Sequence, residues 1–327
     1  MKLFEDQYKQ ALIEIEERIK TTKDKNLLFQ LKKDKKYILN YFYPELIKKN
    51  NEFDFQLNII ESNEEINKII TNNQLYFLPL FSASFIKKND KKMEMLFNSF
   101  IEEDEFGLKK IYDEIVLNNG LIYTETKSNY SGCNIFIPSI KRNFIEIKKS
   151  KKLYEVNSKV HELGHAKINI ESYKIPYKIS NNSFLESYSI FLEMVFADYL
   201  KSHGKRKEGY QLKFLVFDRI KSLTKQLYED LEEYKKINQT TKPVKYFFEM
   251  NFKSLKGYYL ALNFYFLYKS NPKESLKIIN SFIKEVKLLD EKELIKKFNL
   301  NEMCFNKKVV YKLYTKLKDE KIKIKQK

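Results

Sequence analysis

The chain contains three histidines, and two of them lie four residues apart in His161-Glu162-Leu163-Gly164-His165. On a helix, positions i and i+4 project from one face about one turn apart, so two imidazoles at this spacing can hold one zinc ion. Glu162 is rotated by about 100° from His161. It can reach a water at the metal without ligating the metal itself. At this histidine and glutamate content, chance yields the pattern in about two chains per thousand of this length. No helix breaker interrupts Val156-Asn157-Ser158-Lys159-Val160 ahead of the motif, and Asn157 or Ser158 is placed to cap the helix. Gly164 costs a helix interior about 1 kcal/mol against alanine, which points to another backbone passing close by.

Zinc on two histidines takes a third protein ligand and leaves the fourth position for water. The third histidine, His203, stands in the basic stretch Lys201-Ser202-His203-Gly204-Lys205-Arg206-Lys207, after a helix expected to end at about Leu200. It is read as exposed surface. Further candidates are Glu186, Ser189 and Glu193, which form one polar stripe on a helix whose Leu185, Tyr188, Leu192, Val195 and Tyr199 supply an apolar face. Acidic residues on so apolar a helix are either partners of its N-terminal dipole or site residues. Beside the histidine pair, the ligand reading of Glu186 is favoured.

The run His161-Glu162-Leu163-Gly164-His165-Ala166, followed by Glu186-Ser187, Ser189 and Glu193, resembles the gluzincin peptidases of the thimet oligopeptidase and oligoendopeptidase F family, in a short form. The resemblance covers about residues 120 to 300, and typical members are almost twice as long. It implies that His161, His165 and Glu186 hold zinc and that Glu162 is the catalytic base. It places Glu193 behind a ligand histidine as an orienting carboxylate, with Ser189 in the same outer layer. Tyr130-Ser131-Gly132-Cys133-Asn134 resembles the family's small-residue segment beside the cleft, which implies that Gly132 and Cys133 border an extended substrate. Ser254-Leu255-Lys256-Gly257-Tyr258-Tyr259-Leu260-Ala261-Leu262 resembles its Gly-Tyr segment. There the family implies that Tyr258 or Tyr259 donates to the oxyanion.

The elements that must position these residues are mostly helical. Apolar spacing from Phe4 to Phe42 is helical, with a break near Thr21 to Asp24 and a stop at Pro44. Asn118-Asn119-Gly120 reads as a turn, and Leu121-Ile122-Tyr123, Asn134 to Ile137 and Asn143 to Ile147 read as short strands. Tyr210, Phe214, Phe217, Ile220, Leu227, Leu231 and Tyr234 trace one long amphipathic helix, and Pro243 and Pro272 punctuate the remainder of the chain. The expected fold is mainly α. A helical N-terminal lobe covers 1–119, and a zincin-like catalytic domain covers 120–327. Within that domain a small sheet spans 121–147, the histidine helix about 156–168 and the third-ligand helix about 183–200, before the C-terminal helices.

Composition narrows the function classes. Hydrophobic residues make up 43% of 327 and aromatics 15%, which excludes a disordered chain. The longest apolar-rich stretches, Leu75 to Ile86 and Gly257 to Tyr268, fall short of the roughly 20 residues of a membrane helix. The opening residues Met1 to Gln10 lead into no apolar segment of a secretory signal, so a cytoplasmic location is expected. The net charge of +17 suggests nucleic acid or an acidic membrane, yet the only arginines are Arg18, Arg142, Arg206 and Arg219. Arginine is the preferred reader of phosphate and guanine, so the charge is read as a lysine-rich background. Cys133 and Cys304 lie far apart and are expected as small apolar residues in or near the core.

Together these features predict a zinc peptidase acting on peptides or unfolded polypeptides. The rival readings are a protease dedicated to one protein target, a catalytically silent peptide-binding relative, and a basic nucleic-acid-binding protein. Two histidines and a carboxylate also accept cobalt or manganese.

Overall fold

A computed structural model of the chain describes residues 2–42, 91–125, 131–149, 153–174, 183–236, 242–300, 303 and 307–325. Pro44, the apolar stretch 75–86, Tyr130 and Cys304 lie outside the described residues. The chain opens with α1 (Lys2–Thr21) and α2 (Lys25–Phe42). The break between them is made by Asp24, whose Oδ1 accepts the backbone N–H groups of Asn26 and Leu27 at 2.8 and 3.1 Å and so caps the second helix.

After α3 (Lys91–Glu102) and α4 (Lys109–Leu117), Asn119 turns the chain at a φ of 51° into β1 (Leu121–Thr124). Strand β2 (Gly132–Ile137) then returns through a short turn at Pro138–Ile140 into β3 (Arg142–Lys148). The sheet order is β1-β3-β2, with β1 parallel and β2 antiparallel to β3, so β2 is an outer strand. Alternation divides its residues between two cores. Ile122, Ile135, Ile137 and Phe144 pack under α1 and α2 against Tyr8, Ala11, Ile15, Leu31 and Ile38, whereas Ile145 and Ile147 face the main helical core. Helices α3 and α4 join that main core through residues such as Phe97, Phe100 and Ile111, so the segment before residue 119 contributes to both cores.

The histidine helix is α5 (Leu153–Glu171), and the third-ligand helix is α6 (Leu185–Ser202). From Ser187 to Ala197 every residue of α6 except Glu193 is buried. A helix apolar on nearly all sides belongs in the interior. It is surrounded there by α5, by α7 (Arg206–Lys236) and by α8 (Lys242–Ser270). Pro243 falls in the first turn of α8, where a missing N–H costs nothing. Pro272 opens α9 (Pro272–Glu285), whose N-cap is Asn271. The chain closes with α10 (Glu291–Phe298), started by an Asp290–Glu293 capping box, and α11 (Lys307–Lys325). Among the described residues no helix is long and apolar enough to cross a membrane.

Candidate metal centre

Asn157, His161, His165 and Asn169 recur every four residues on α5 and so form one row along a single helix face. The Nε2 atoms of His161 and His165 lie 3.1 Å apart. Glu186, in the first turn of α6, brings Oε2 to 3.3 Å from the first and 3.6 Å from the second. Among the described residues this is the one group of three potential ligands whose donor atoms converge, all within 4.8 Å of one another. Donors at zinc bond lengths in a tetrahedron stand about 3.3 Å apart. The two nitrogens and one carboxylate oxygen therefore fit zinc, with one vertex left over.

Electrostatics tie the three together. Burial opposes charge on His161, but Glu186 and Glu193 outweigh it and raise its pKa well above the ordinary histidine value. Burial likewise opposes ionisation of Glu186, and the two histidines overcome it and hold its pKa well below the ordinary carboxylate value. A metal bound by these groups competes with protons for the same donor atoms.

A second layer stands behind the ligands. Glu193 Oε1 lies 2.6 Å from His161 Nδ1, which places the proton on Nδ1 and leaves Nε2 as the donor to a metal. The other Glu193 oxygen accepts from Asn157 Nδ2 at 2.8 Å. Asn157, expected to cap the helix, instead lies inside it, because α5 begins at Leu153. Its amide holds the carboxylate that holds the ligand. Replacing Asn157 by alanine is expected to weaken zinc affinity by up to about 10-fold, at the low end for outer-layer partners of a metal site. Competition against a chromophoric chelator measures it, and unchanged affinity would remove Asn157 from the site.

Three of the chain's seven glycines mark close approaches at this centre. A Cβ at Gly132 would come within 2.9 Å of Glu162 Oε1. At Gly164 it would meet Ser189 Oγ at 2.6 Å and Ser189 Cα at 2.7 Å, and at Gly257 it would meet Glu186 Cβ at 3.0 Å. The backbone expected beside Gly164 is therefore α6, and Ser189 serves as the surface on which α5 rests; among the described residues its buried Oγ has no hydrogen-bond partner. Glu162 is 6% exposed. Burial raises its pKa, opposed by the two histidines, which increases the basicity of a carboxylate placed beside the metal ligands.

The remaining sequence candidates separate. Tyr258 is half-buried, and its hydroxyl pKa is raised by burial first and then by Glu193, opposed by Arg219, with Glu186 adding to the rise. Tyr259 is 1% exposed in the main core. Neither tyrosine is among the residues lining the cleft in front of the histidines, although Tyr258 stands near enough to Glu193 and Glu186 for their charges to act on its hydroxyl. His203 is exposed, at the C-terminus of α6, with its ring stacked 4.1 Å from Tyr199. Cys133 corrects an expectation, since it is exposed at the cleft rather than in the core. The enclosing walls, then Glu162 and Glu146, push its thiol pKa up to about 11, so it is a neutral thiol near pH 7.

The cleft measures about 690 Å³ and is lined by His161, Glu162, His165 and Glu186 together with Gly132, Cys133 and Asn134 of β2. The Lys148 N–H donates to the Ser131 carbonyl at 3.0 Å. In an antiparallel ladder this fixes which residues bond inward. Ser131, Cys133 and Ile135 face β3, so Gly132 and Asn134 turn their backbone N–H and C=O groups to the other side of β2, an edge that carries no further strand among the described residues. Sequence reasoning missed Asn169 and Lys287 in this cleft, gave Asn134 no role of its own, and did not see Asn157 behind the ligands. The four-residue recurrence of asparagine and histidine on α5 was the one signal available for two of them.

No family model and no curated protein matches the sequence. The fold, however, matches solved structures. One assigned to oligoendopeptidase F of Bacillus anthracis aligns with a TM-score of 0.58 at 15% identity, over 90% of this chain and 64% of that one. Another assigned to oligoendopeptidase F gives 0.57 at 13% identity, over 78% of this chain and 55% of that one. PZ peptidase A with an inhibitor gives 0.53 at 14% identity, over 78% and 55%. The chain thus spans between about half and two thirds of these proteins, and over most of its own length it has the mainly α fold, with one small sheet, of the oligoendopeptidase F structures.

Proposed function

We propose that the chain is a zinc-dependent peptidase that hydrolyses peptide bonds, with oligopeptides as the substrate class. The observation that carries this reading is the convergence of His161, His165 and Glu186 within 4.8 Å, with Glu162 buried beside them in the same cleft. When bound, zinc supplies Lewis acidity toward water and the scissile carbonyl. Glu162 takes the proton of the attacking water and returns it to the leaving amine, a role suited to a carboxylate made more basic by burial. The open edge of β2 pairs with an extended peptide and lays it across the cleft. Glu193 and Asn157 keep His161 in the ligating tautomer.

The test is to incubate the zinc-loaded protein with a mixed peptide library and read the products by mass spectrometry. Cleavage is expected, abolished by a chelator and restored by zinc. No cleavage with one zinc tightly bound would favour a protease dedicated to one protein target or a peptide-binding role. Absence of both cleavage and zinc binding would overturn the metal site.

A further inference from the structure

The row of side chains on α5 does not stop at the histidines. Asn169 is the next member after His165, and it lines the same cleft together with Lys287. Its amide is fixed in one orientation. Nδ2 donates to Asn134 Oδ1 at 2.6 Å and to Asn143 Oδ1 at 3.1 Å, which turns Oδ1 outward to accept a hydrogen bond from Lys287 Nζ. An ammonium is thereby seated in the wall of the cleft, close to Asn134 on the open edge of β2. Burial lowers the Lys287 pKa to about 8, so the group is mostly charged at pH 7 but poorly solvated. A partly desolvated ammonium favours an anionic partner.

Distance decides where that partner sits. Asn169 lies about 6 Å beyond His165 along the helix axis, at about 1.5 Å per residue. An extended peptide advances about 3.3 Å per residue, so a segment paired with β2 comes alongside Lys287 about two residues from the atoms facing the histidines. We propose that Lys287 binds a substrate carboxylate about two residues from the scissile bond and so sets the sequence preference of the cleft. The carboxylate belongs to an acidic side chain or to the terminus of the peptide. This rests on the peptidase reading for the words scissile bond, but the binding itself is measured without turnover.

The experiment uses the zinc-loaded full chain carrying Glu162→Gln and dye-labelled hexapeptides, with affinity read by fluorescence anisotropy. One arm compares aspartate with asparagine at each position in amidated peptides. The other compares free-acid with amidated ends in peptides that have no acidic side chain. The expected result is at least about 10-fold tighter binding of the carboxylate form in one arm, comparable to a charge-assisted hydrogen bond. Adding Lys287→Met should bring that ratio to within about twofold of unity, and Lys287→Arg should retain most of it. Whichever arm shows the ratio identifies the source of the carboxylate. A ratio near one in both arms, or one that survives Lys287→Met, overturns the proposal. Cleavage by the wild type without any carboxylate preference removes Lys287 alone. Carboxylate-dependent binding without wild-type cleavage supports the subsite and removes the oligopeptide-hydrolysing reading, and absence of both binding and cleavage removes both.

Discussion

Glu162→Gln is expected to lower kcat by about 10²–10⁴-fold, the range for loss of a general acid–base group, while the protein still binds one zinc per chain. Glutamine keeps the size of the side chain, so the packing against Gly132, where a Cβ would lie 2.9 Å from Glu162 Oε1, is preserved. The converging donor atoms belong to His161, His165 and Glu186 and not to residue 162, so metal affinity should change little. What the amide cannot do is take a proton from water. Stability should move the other way. Burial raises the folded-state pKa of Glu162 above its ordinary value of 4.5, so the ionised carboxylate is disfavoured in the folded state. Its destabilising effect sets in as pH rises from 4.5 through the folded pKa and is absent below 4.5. The zinc-free Glu162→Gln protein should therefore melt no lower than wild type at pH 7, and any gain should vanish in acid. Zinc stoichiometry, kcat on a cleaved library peptide and melting at two pH values complete the measurement. Turnover that survives the substitution would sink the assignment of the base, and zinc lost with it would mean that residue 162 belongs to the metal shell.

The features readable in the sequence were those in which spacing alone carries chemistry. His161 and His165 share a helix face whatever surrounds them, and Glu186 stands out as a charge on an otherwise apolar helix. The strands were visible in short β-branched and aromatic runs. Their order was not, because placing β1 beside β3 with β2 on the outside depends on contacts between segments and not within them. Asn157 was misplaced as a cap because asparagine is a favoured cap and nothing marks Leu153 as the start of α5. Its partner Glu193 lies 36 residues away. With 23 tyrosines in the chain, pattern could not separate Tyr258 from Tyr259, whereas packing does, burying one in the core and leaving the other beside Glu193 and Glu186. Lys287 was invisible for a similar reason. Lysine and arginine together number 61, and only the seat made by Asn169 singles this one out. Glycine is the opposite case. With seven in the chain, one inside a predicted helix was informative, and Gly164 did announce the close passage of α6.

That passage yields the second large effect. Gly164→Ala is expected to destabilise the protein by up to about 2 kcal/mol and to weaken zinc binding by about 10-fold. Alanine in a helix interior ordinarily gains about 1 kcal/mol over glycine, so the sign depends on the neighbour. The added methyl would stand 2.6 Å from Ser189 Oγ, 2.7 Å from Ser189 Cα and 3.1 Å from Ser189 Cβ. A hydroxyl can rotate away, but a backbone Cα on a helix buried from Ser187 to Ala197, save Glu193, cannot. Overpacking of this kind costs about 1–3 kcal/mol, which outweighs the propensity gain. Relief requires α5 and α6 to separate. Gly164 adjoins His165, and Ser189 lies one turn after Glu186, so the separation opens the gap between His165 Nε2 and Glu186 Oε2, now 3.6 Å. Urea unfolding and zinc competition read the two consequences. The double variant Gly164→Ala with Ser189→Ala tells which contact matters, because it removes Oγ and leaves Cα. Zinc affinity that stays low in the double variant shows that the glycine sets the spacing of the two ligand-bearing helices. Full recovery would reduce Gly164 to making room for one hydroxyl.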